Sequence, residues 1–261
     1  VPEKKYKQRA FVAKLNNTYY ISNWGEKQVL YSSTDCKNWQ PIGPTNEKFN
    51  QAPIISLVAY ENKLYLGAYD RGRFTSTDGI NWTGIGTNTL TNGYSVYYDN
   101  ELWVAVGNGL NTIATSPDAV VWTGRGSGII TDTAYDVAYG ATYGGINRIW
   151  IAVGKGGNTM ATSSDGIVWT GKGTSIFSLA GYGIAYANGV WVTVGSGTST
   201  MWYGNGENWN DLGKNIFTTV GYDVVYANGL WVATGEGENT IQLVQLCHRG
   251  QDMVVLFSLL D

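Results

Sequence analysis

Two columns of tryptophan, recurring at a near-constant interval, constrain this chain more than any other feature of its sequence. Trp103, Trp150, Trp191 and Trp231 stand in the first column, and Trp39, Trp82, Trp122, Trp169 and Trp209 in the second. Nine of the 11 tryptophans are thereby in register, and Tyr20 and Tyr65 hold the first column in two earlier, worn copies. A unit of about 42 residues repeated in this way specifies a solenoid, a propeller or an array.

Each unit divides into four short apolar runs separated by turn residues. The runs of the third unit follow the pattern of a first strand, then LWVAVG from 102, NTIATS from 111 and VVWTGRG from 120. Asn-Gly or its like stands between the first and second runs, Gly-x-Gly between the second and third, and Ser-x-Asp-Gly between the third and fourth. Strands joined by hairpin-length turns pair antiparallel with their neighbours, so each unit is a four-stranded meander. In Trp103-Val104-Ala105-Val106 neither alternate set is polar, so both faces of such a sheet need cover. Radial packing of blades around an axis supplies it, and a closed ring leaves no wet end. The expectation is an all-β, six-bladed β-propeller of four-stranded antiparallel blades, a single domain over 1–261. Its blades start near 10, 52, 94, 135, 181 and 221, and residues 1–9 form a basic N-terminal tail. The fourth unit carries an insertion at 141–147, a projecting loop and candidate contact site.

Composition agrees with strands: 35 Gly and 18 Tyr accompany only 14% charged residues, well below the quarter or so of an average domain. Net charge is −3 with 17 Lys and Arg, scattered except for Lys4, Lys5, Lys7 and Arg9. Nucleic-acid binding by charge is therefore excluded as an expectation. No apolar run reaches the roughly 18 residues of a membrane span, and the opening VPEKKYKQ has no apolar signal core. A start at Val1 instead of Met is compatible with a removed leader, and an extracellular or virion-surface location is the weakly favoured setting. Cys36 and Cys247 lie near opposite ends, where a bridge would close the ring if geometry allows. From Gln242 the repeat breaks down, and two origins stay open: a diverged last blade with QLVQL and MVVLFSLL as its outer strands, or a shift of reading frame.

The third turn recurs as Ser-x-Asp-(Gly)-x-x-Trp at Ser33–Trp39, Ser76–Trp82, Ser116–Trp122 and Ser163–Trp169, and Asn205, Gly206 and Trp209 keep it in a fifth copy. Asp35, Asp78, Asp118, Asp165 and Asn205 can cap turn N–H groups, with Trp39, Trp82, Trp122, Trp169 and Trp209 as lids. This motif resembles the Asp-box, or BNR repeat, of sialidase-type propellers, sortilin-type receptors, photosystem assembly factors and many phage and large-virus proteins. It has one residue fewer between Asp and Gly than is usual there. The resemblance implies a propeller and a structural role for the turn.

It also invites a sialidase-like glycoside hydrolase, which needs three arginines on a carboxylate, a Tyr nucleophile with its Glu, and an acid Asp. The arginines are Arg9, Arg71, Arg73, Arg125, Arg148 and Arg249, and none stands in the Arg-Ile-Pro context of the first sialidase arginine. His248 is the only histidine, and it sits where the repeat has failed, so a nucleophile–histidine pair has little to build on. No Cys/His cluster suggests a metal, and no cofactor is expected. Catalysis is thus the least favoured reading.

Recognition is the favoured one. Asn111-Thr112, Asn158-Thr159 and Asn239-Thr240 repeat in units that also carry Tyr94, Tyr135, Tyr182 and Tyr222, and an amide or hydroxyl beside an aromatic face is a common way to hold a sugar. Converging at blade junctions, such groups make a multivalent site. The plain alternative is that Asn-Thr starts the third strand and the tyrosines pack the blades. The expected function is non-enzymatic binding of a glycan or protein on an exposed surface, as in a lectin-like module or a virion or tail component. The runner-up is a structural subunit that docks copies of itself or a neighbour through its rim.

Overall fold

A computed structural model gives the fold. It describes residues 11–22, 30–42, 54–60, 62–68, 72–86, 89–145, 147–227, 229–237, 241–249 and 252–258, the last two segments as backbone only. The basic tail expected at 1–9 lies outside the described residues, as do Asn239 and Thr240 and the side chains of Cys247, His248 and Arg249.

Among the described residues, twenty-four strands follow one another with a single 3₁₀ turn at Tyr143–Gly145. The first sheet holds β1 (Val12–Leu15), β2 (Thr18–Ser22), β3 (Leu30–Ser33) and β4 (Gln40–Ile42). The second holds β5 (Ile54–Tyr60), β6 (Lys63–Ala68), β7 (Gly72–Ser76) and β8 (Thr83–Gly86). The third holds β9 (Asn92–Asp99), β10 (Leu102–Asn108), β11 (Ile113–Ser116) and β12 (Thr123–Gly124), and the fourth β13 (Thr133–Ala141), β14 (Arg148–Lys155), β15 (Met160–Ser163) and β16 (Thr170–Gly171). Each is an antiparallel meander in sequence order. Two-residue turns set the first hairpins: Asn100 and Glu101 take φ of 50° and 59°, and Asn188 and Gly189 take 50° and 81°, the left-handed pair that a tight hairpin demands.

The remaining strands correct the expected blade count. β17 (Ala180–Ala187), β18 (Val190–Ser196), β19 (Met201–Gly204) and β20 (Trp209–Asp211) do not stand apart from β21 (Val220–Ala227), β22 (Leu230–Glu236), β23 (Ile241–Arg249) and β24 (Asp252–Ser258). All eight form one sheet, joined where Ser196 pairs with Val220. The propeller therefore has five blades, not six. The two sheets meet at this one backbone pair, beside a close approach at Gly221, where a Cβ would lie 2.7 Å from Cβ of Val194. In the last segment β23 pairs with β22 and β24 with β23, so the backbone continues the meander past the point where the sequence repeat ends.

The core lies between blades. One cluster joins the first two sheets through Leu15, Leu30, Leu57, Leu66, Phe74 and Trp82, and another joins the third and fourth through Val104, Val106, Val137, Trp150 and Trp169. Trp150 and Trp191 are wholly buried. Each first-column Trp faces a tyrosine on its cross-strand partner position: Tyr98–Trp103, Tyr139–Trp150, Tyr186–Trp191 and Tyr226–Trp231, with ring centroids 4.7 to 5.1 Å apart. Such tilted aromatic pairs add about 0.5–1.5 kcal/mol each beyond the area that they bury.

A candidate recognition site at the inner strands

The first strand of a blade carries one residue more than its partner near its start. Bulges fall between Ala134 and Asp136, between Gly181 and Gly183, and between Gly221 and Asp223; in β9 pairing skips Tyr94. The extra residues are Tyr94, Tyr135, Tyr182 and Tyr222. A bulge re-aims its unpaired side chain, and here it turns four tyrosines toward one another. Tyr94 and Tyr135 lie 5.5 Å apart by ring centroid, Tyr135 and Tyr182 5.0 Å, and Tyr182 and Tyr222 6.2 Å. All four keep partial solvent access. Tyr222 donates from its hydroxyl to Glu236 Oε2 at 2.8 Å. Burial holds the Tyr135 hydroxyl above the usual tyrosine range, so it stays a neutral donor.

One residue further on, the same strands present Ser95, Asp136, Gly183 and Asp223. Asp136 ties three blades: its Oδ2 accepts from the Ile184 N–H at 2.9 Å, its Oδ1 from the Val137 N–H at 2.9 Å, and Ser95 hydrogen-bonds it from the preceding sheet. Removal from water, and then the nearby Asp223 carboxylate, push the Asp136 carboxyl up to about 7. Lys155 pairs with Asp132 at 2.9 Å beside Tyr135. The sequence reading passed over Asp136 and Asp223, although the recurrence of Tyr-Asp-Val at 135 and 222 was there to be seen.

An antiparallel meander places the start of its first strand at the same end as the turn between its second and third strands. Asn111-Thr112 and Asn158-Thr159 therefore share an end of the sheets with the tyrosine arc. Their polar groups, however, are engaged within the fold. Asn111 donates to the Thr89 carbonyl (2.9 Å) and accepts from the Gly126 N–H (2.8 Å); Asn158 does the same with Ile129 (2.7 Å) and Gly173 (2.7 Å). Thr112 and Thr159 are 1% and 0% exposed, and their hydroxyls donate to the carbonyls of Ile130 and Phe177, each at 2.8 Å. Ile130 and Phe177 are fully buried plugs of the loops that lead to the next blade. What these pairs visibly do is fasten those loops.

The Ser-x-Asp turns sit at the opposite end, with one geometry. In Ser163–Trp169, Ser163 donates to Asp165 Oδ1 and accepts from the Gly166 N–H; Asp165 Oδ1 takes the N–H groups of Ile167 and Val168; and Trp169 Nε1 donates to the Gly166 carbonyl at 2.8 Å. Asp35, Asp78 and Asp118 repeat the pattern with Trp39, Trp82 and Trp122, and Asn205 accepts from Glu207 and Asn208. Backbone N–H donors hold these carboxyls below the ordinary aspartate range. The inserted loop turns back on itself, with Thr142 N–H donating to the Asn147 carbonyl at 2.8 Å.

A second concavity, of about 590 Å³, lies between the fourth blade and the hairpin of β19 and β20, lined by Thr142, Met160, Lys172, Trp202, Glu207 and Trp209 among others. Sequence reasoning missed it, and its one signal was that Trp202 stands outside both tryptophan columns. Of the arginines weighed for catalysis, Arg125 Nε donates to Thr115 Oγ1 (2.8 Å), Arg148 lies over the Tyr139 ring and 3.7 Å from Asp99, and Arg73 lies over the Trp122 ring. Each is committed to a different neighbour. Among the described residues no group of three or more His, Cys, Asp or Glu could hold a metal ion. Cys36 is free and exposed.

Antiparallel blades stacked through aromatic cores, with their first strands side by side, define a β-propeller. The chain belongs to the family of the DUF6242 β-propeller domain, whose model matches residues 2–136. Solved structures agree on the fold. YCF48 bound to D1 peptide superposes with a TM-score of 0.65 at 17% identity, over 90% of this chain and 78% of that one. YCF48 from Cyanidioschyzon merolae gives 0.61 at 14% identity, over 90% and 82%. An ancestral GH74 enzyme gives 0.67 at 15% identity over 95% of this chain, which spans 37% of that enzyme. No curated protein matches the chain.

Proposed function

We propose that this propeller is a recognition module without a catalytic step of its own, and that it takes a glycan or a protein segment across the arc of Tyr94, Tyr135, Tyr182 and Tyr222. The observation that carries the reading is the spacing of these rings, 5.0 to 6.2 Å from blade to blade on the side open to solvent. Partly exposed rings with hydroxyls at their tips offer apolar area and directed donors at low entropic cost, which is how aromatic residues serve as binding anchors. Asn111, Thr112, Asn158 and Thr159 act in this reading as the posts that fix the loops around the arc, and Asn239 and Thr240 belong to the same repeat. Lys155 with Asp132, and Glu236 with Tyr222, supply polar rim groups. A structure of the same fold, YCF48, is solved with a peptide bound, a precedent for a peptide ligand. A lectin-like or virion-surface setting suits the glycan arm.

The test is a glycan array and a peptide array probed with the folded chain and with Tyr135→Ala and Tyr182→Ala. Hits that weaken about 10-fold or more in both variants, a loss of about 1.4 kcal/mol, support the arc. Silence on both arrays, or hits indifferent to both changes, overturns it. Turnover of a fluorogenic glycoside by the wild-type chain would remove the non-catalytic part of the reading.

One observation favours a second reading, docking through the rim. The Ser-x-Asp turns expose apolar side chains at their tips: Val121 is 67% and Val168 70% exposed, with Ile80, Val120 and Ile167 alongside. A structural subunit would bury them, and Val121→Lys with Val168→Lys would then dissolve an assembly detected by light scattering.

A further inference from the structure

The junction between the fourth blade and the hairpin of β19 and β20 departs from its neighbours in three respects. Trp202 on β19 pairs with Thr193, the register position that Ala161 holds opposite Ala152 and Ala114 holds opposite Ala105. A large indole thus stands where the two preceding blades carry a methyl. The tip of the turn has also changed, because Glu207 and Asn208 bring a carboxylate and an amide where the preceding turns expose Val120 and Val121, and Ile167 and Val168. Finally, Trp39, Trp82, Trp122 and Trp169 each donate from Nε1 to the carbonyl of the left-handed residue of their turn. Among the described residues Trp209 makes no such bond.

These departures meet in the concavity of about 590 Å³, which both Trp202 and Trp209 line. Its size falls within the roughly 300–1,000 Å³ of small-molecule sites. Trp202 keeps partial solvent access while its Nε1 is buried, so what it shows to the groove is ring carbon. Around the indoles stand Thr162, Lys172, Ser175, Glu207 and Asn208, all wholly or partly exposed. Among the described residues none of these five side chains is held in a hydrogen bond or an ion pair. Their counterparts in earlier blades are spent. Arg125, in the place of Lys172, donates to Thr115, in the place of Thr162, and Asn81, in the place of Asn208, donates to Asp78.

The charges of Lys172 and Glu207 cancel, so the groove as a whole selects neither an anion nor a cation. The outer strands β16 and β20 are two and three residues long, too short an edge for a peptide to add as a further strand. Ring carbon below a rim of unspent hydroxyl, amide and charged groups matches a molecule that is apolar on its faces and polar at its edges. A pyranose ring has that anatomy. We infer that the groove is a binding site for a short neutral saccharide, which lays the C–H face of a ring on the indoles and turns its hydroxyls to Thr162, Lys172, Glu207 and Asn208. The site is separate from the tyrosine arc on the first strands and stands without it.

The experiment is ligand-observed saturation-transfer NMR of the folded chain with cellobiose, maltose, lactose and chitobiose. Sialyllactose and a proline-rich peptide serve as charged and peptide probes, and the disaccharide that binds is then soaked into crystals. Trp202→Ala restores the methyl of Ala114 and Ala161. Glu207→Ile with Asn208→Val writes the exposed tip of the fourth blade into this turn, a surface change that keeps the test alive even if Trp202→Ala fails to fold. A neutral disaccharide should bind with a Kd of about 1 mM or tighter, and Trp202→Ala should weaken it about 10-fold. The tip variant should weaken it roughly 3- to 10-fold, and the crystals should show the sugar against Trp202 and Trp209. Silence of all the neutral sugars at about 10 mM, a preference for sialyllactose or the peptide, an affinity indifferent to both variants, or sugar density outside the groove overturns the inference.

Discussion

At the scale of single residues, the Ser-x-Asp turn separates what side chains supply from what the backbone demands. The position after Asp takes a left-handed conformation in every copy: φ is 74° at Gly79, 74° at Gly166 and 91° at Gly206, but also 58° at Cys36 and 59° at Ala119. Non-glycine residues in that region cost about 1–2 kcal/mol. Cys36→Gly should therefore raise stability by about 0.5–1 kcal/mol after the extra freedom of the unfolded glycine is counted, as denaturant unfolding can measure. A loss of stability instead would refute the strain assigned to this position. At Ala119 the gain is smaller, since its methyl is fully buried and burying it is itself worth about 0.8 kcal/mol. The roles of Asp165 and Trp169 could be read from the spelling of the turn. The commitment of Asn111 and Asn158 to loop carbonyls could not, because their partners, Thr89 and Ile129, lie 22 and 29 residues away.

At the scale of elements, the inner strands carry both the candidate site and its weak point. Their tyrosines converge because each strand holds one residue too many, and a bulge breaks the two-residue period on which strand reading depends. The tyrosines were legible as repeated residues, while the ladder that they form was not. Asp136 gives the inner strands a pH response with a definite sign. Its folded value, about 7, lies above the 3.8 of an unperturbed aspartate. The folded state thus holds a proton that the unfolded chain has released, and stability falls as pH rises from about 4 to about 7, then levels off. Asp136→Asn should remove that slope, and its advantage over wild type at pH 8 should be at most about 4 kcal/mol. Unfolding midpoints at pH 5 and pH 8 are the measurement, and parallel shifts in the two proteins would refute it. The carboxylates of the Ser-x-Asp turns act in another window. Their values are lowered, so their support is present above about 4 and fades only in more acid solution.

At the scale of the whole molecule, the sequence counts six repeats and the fold counts five blades. Repetition of Trp191 and Trp231 reports two similar units, but whether neighbouring units share hydrogen bonds depends on backbone separation near Ser196, Val220 and Gly221, which no side-chain pattern encodes. The shared sheet has an energetic consequence. Repeat proteins unfold by unit when each unit contacts its neighbour only through side chains; here β18 and β21 are backbone partners. Native-state hydrogen exchange should therefore report one opening free energy for the slow amides of β18 and β22, distinct from that of β10. Separate values for β18 and β22 would show that the pairing at Ser196 carries no cooperativity.

The self-contained bonding of the Ser-x-Asp turns also bears on how such a molecule can change. In the turns that start at Ser116 and Ser163, the two residues after the left-handed position give the Asp only their backbone N–H groups, whereas Asn38 and Asn81 also donate from their side chains to Asp35 and Asp78. Val120 and Val121, and Ile167 and Val168, are in this sense blank letters, spaced by the blades along one edge. New side chains could be written there without disturbing the fold, which makes that edge the natural place for variation to accumulate and for a designer to begin.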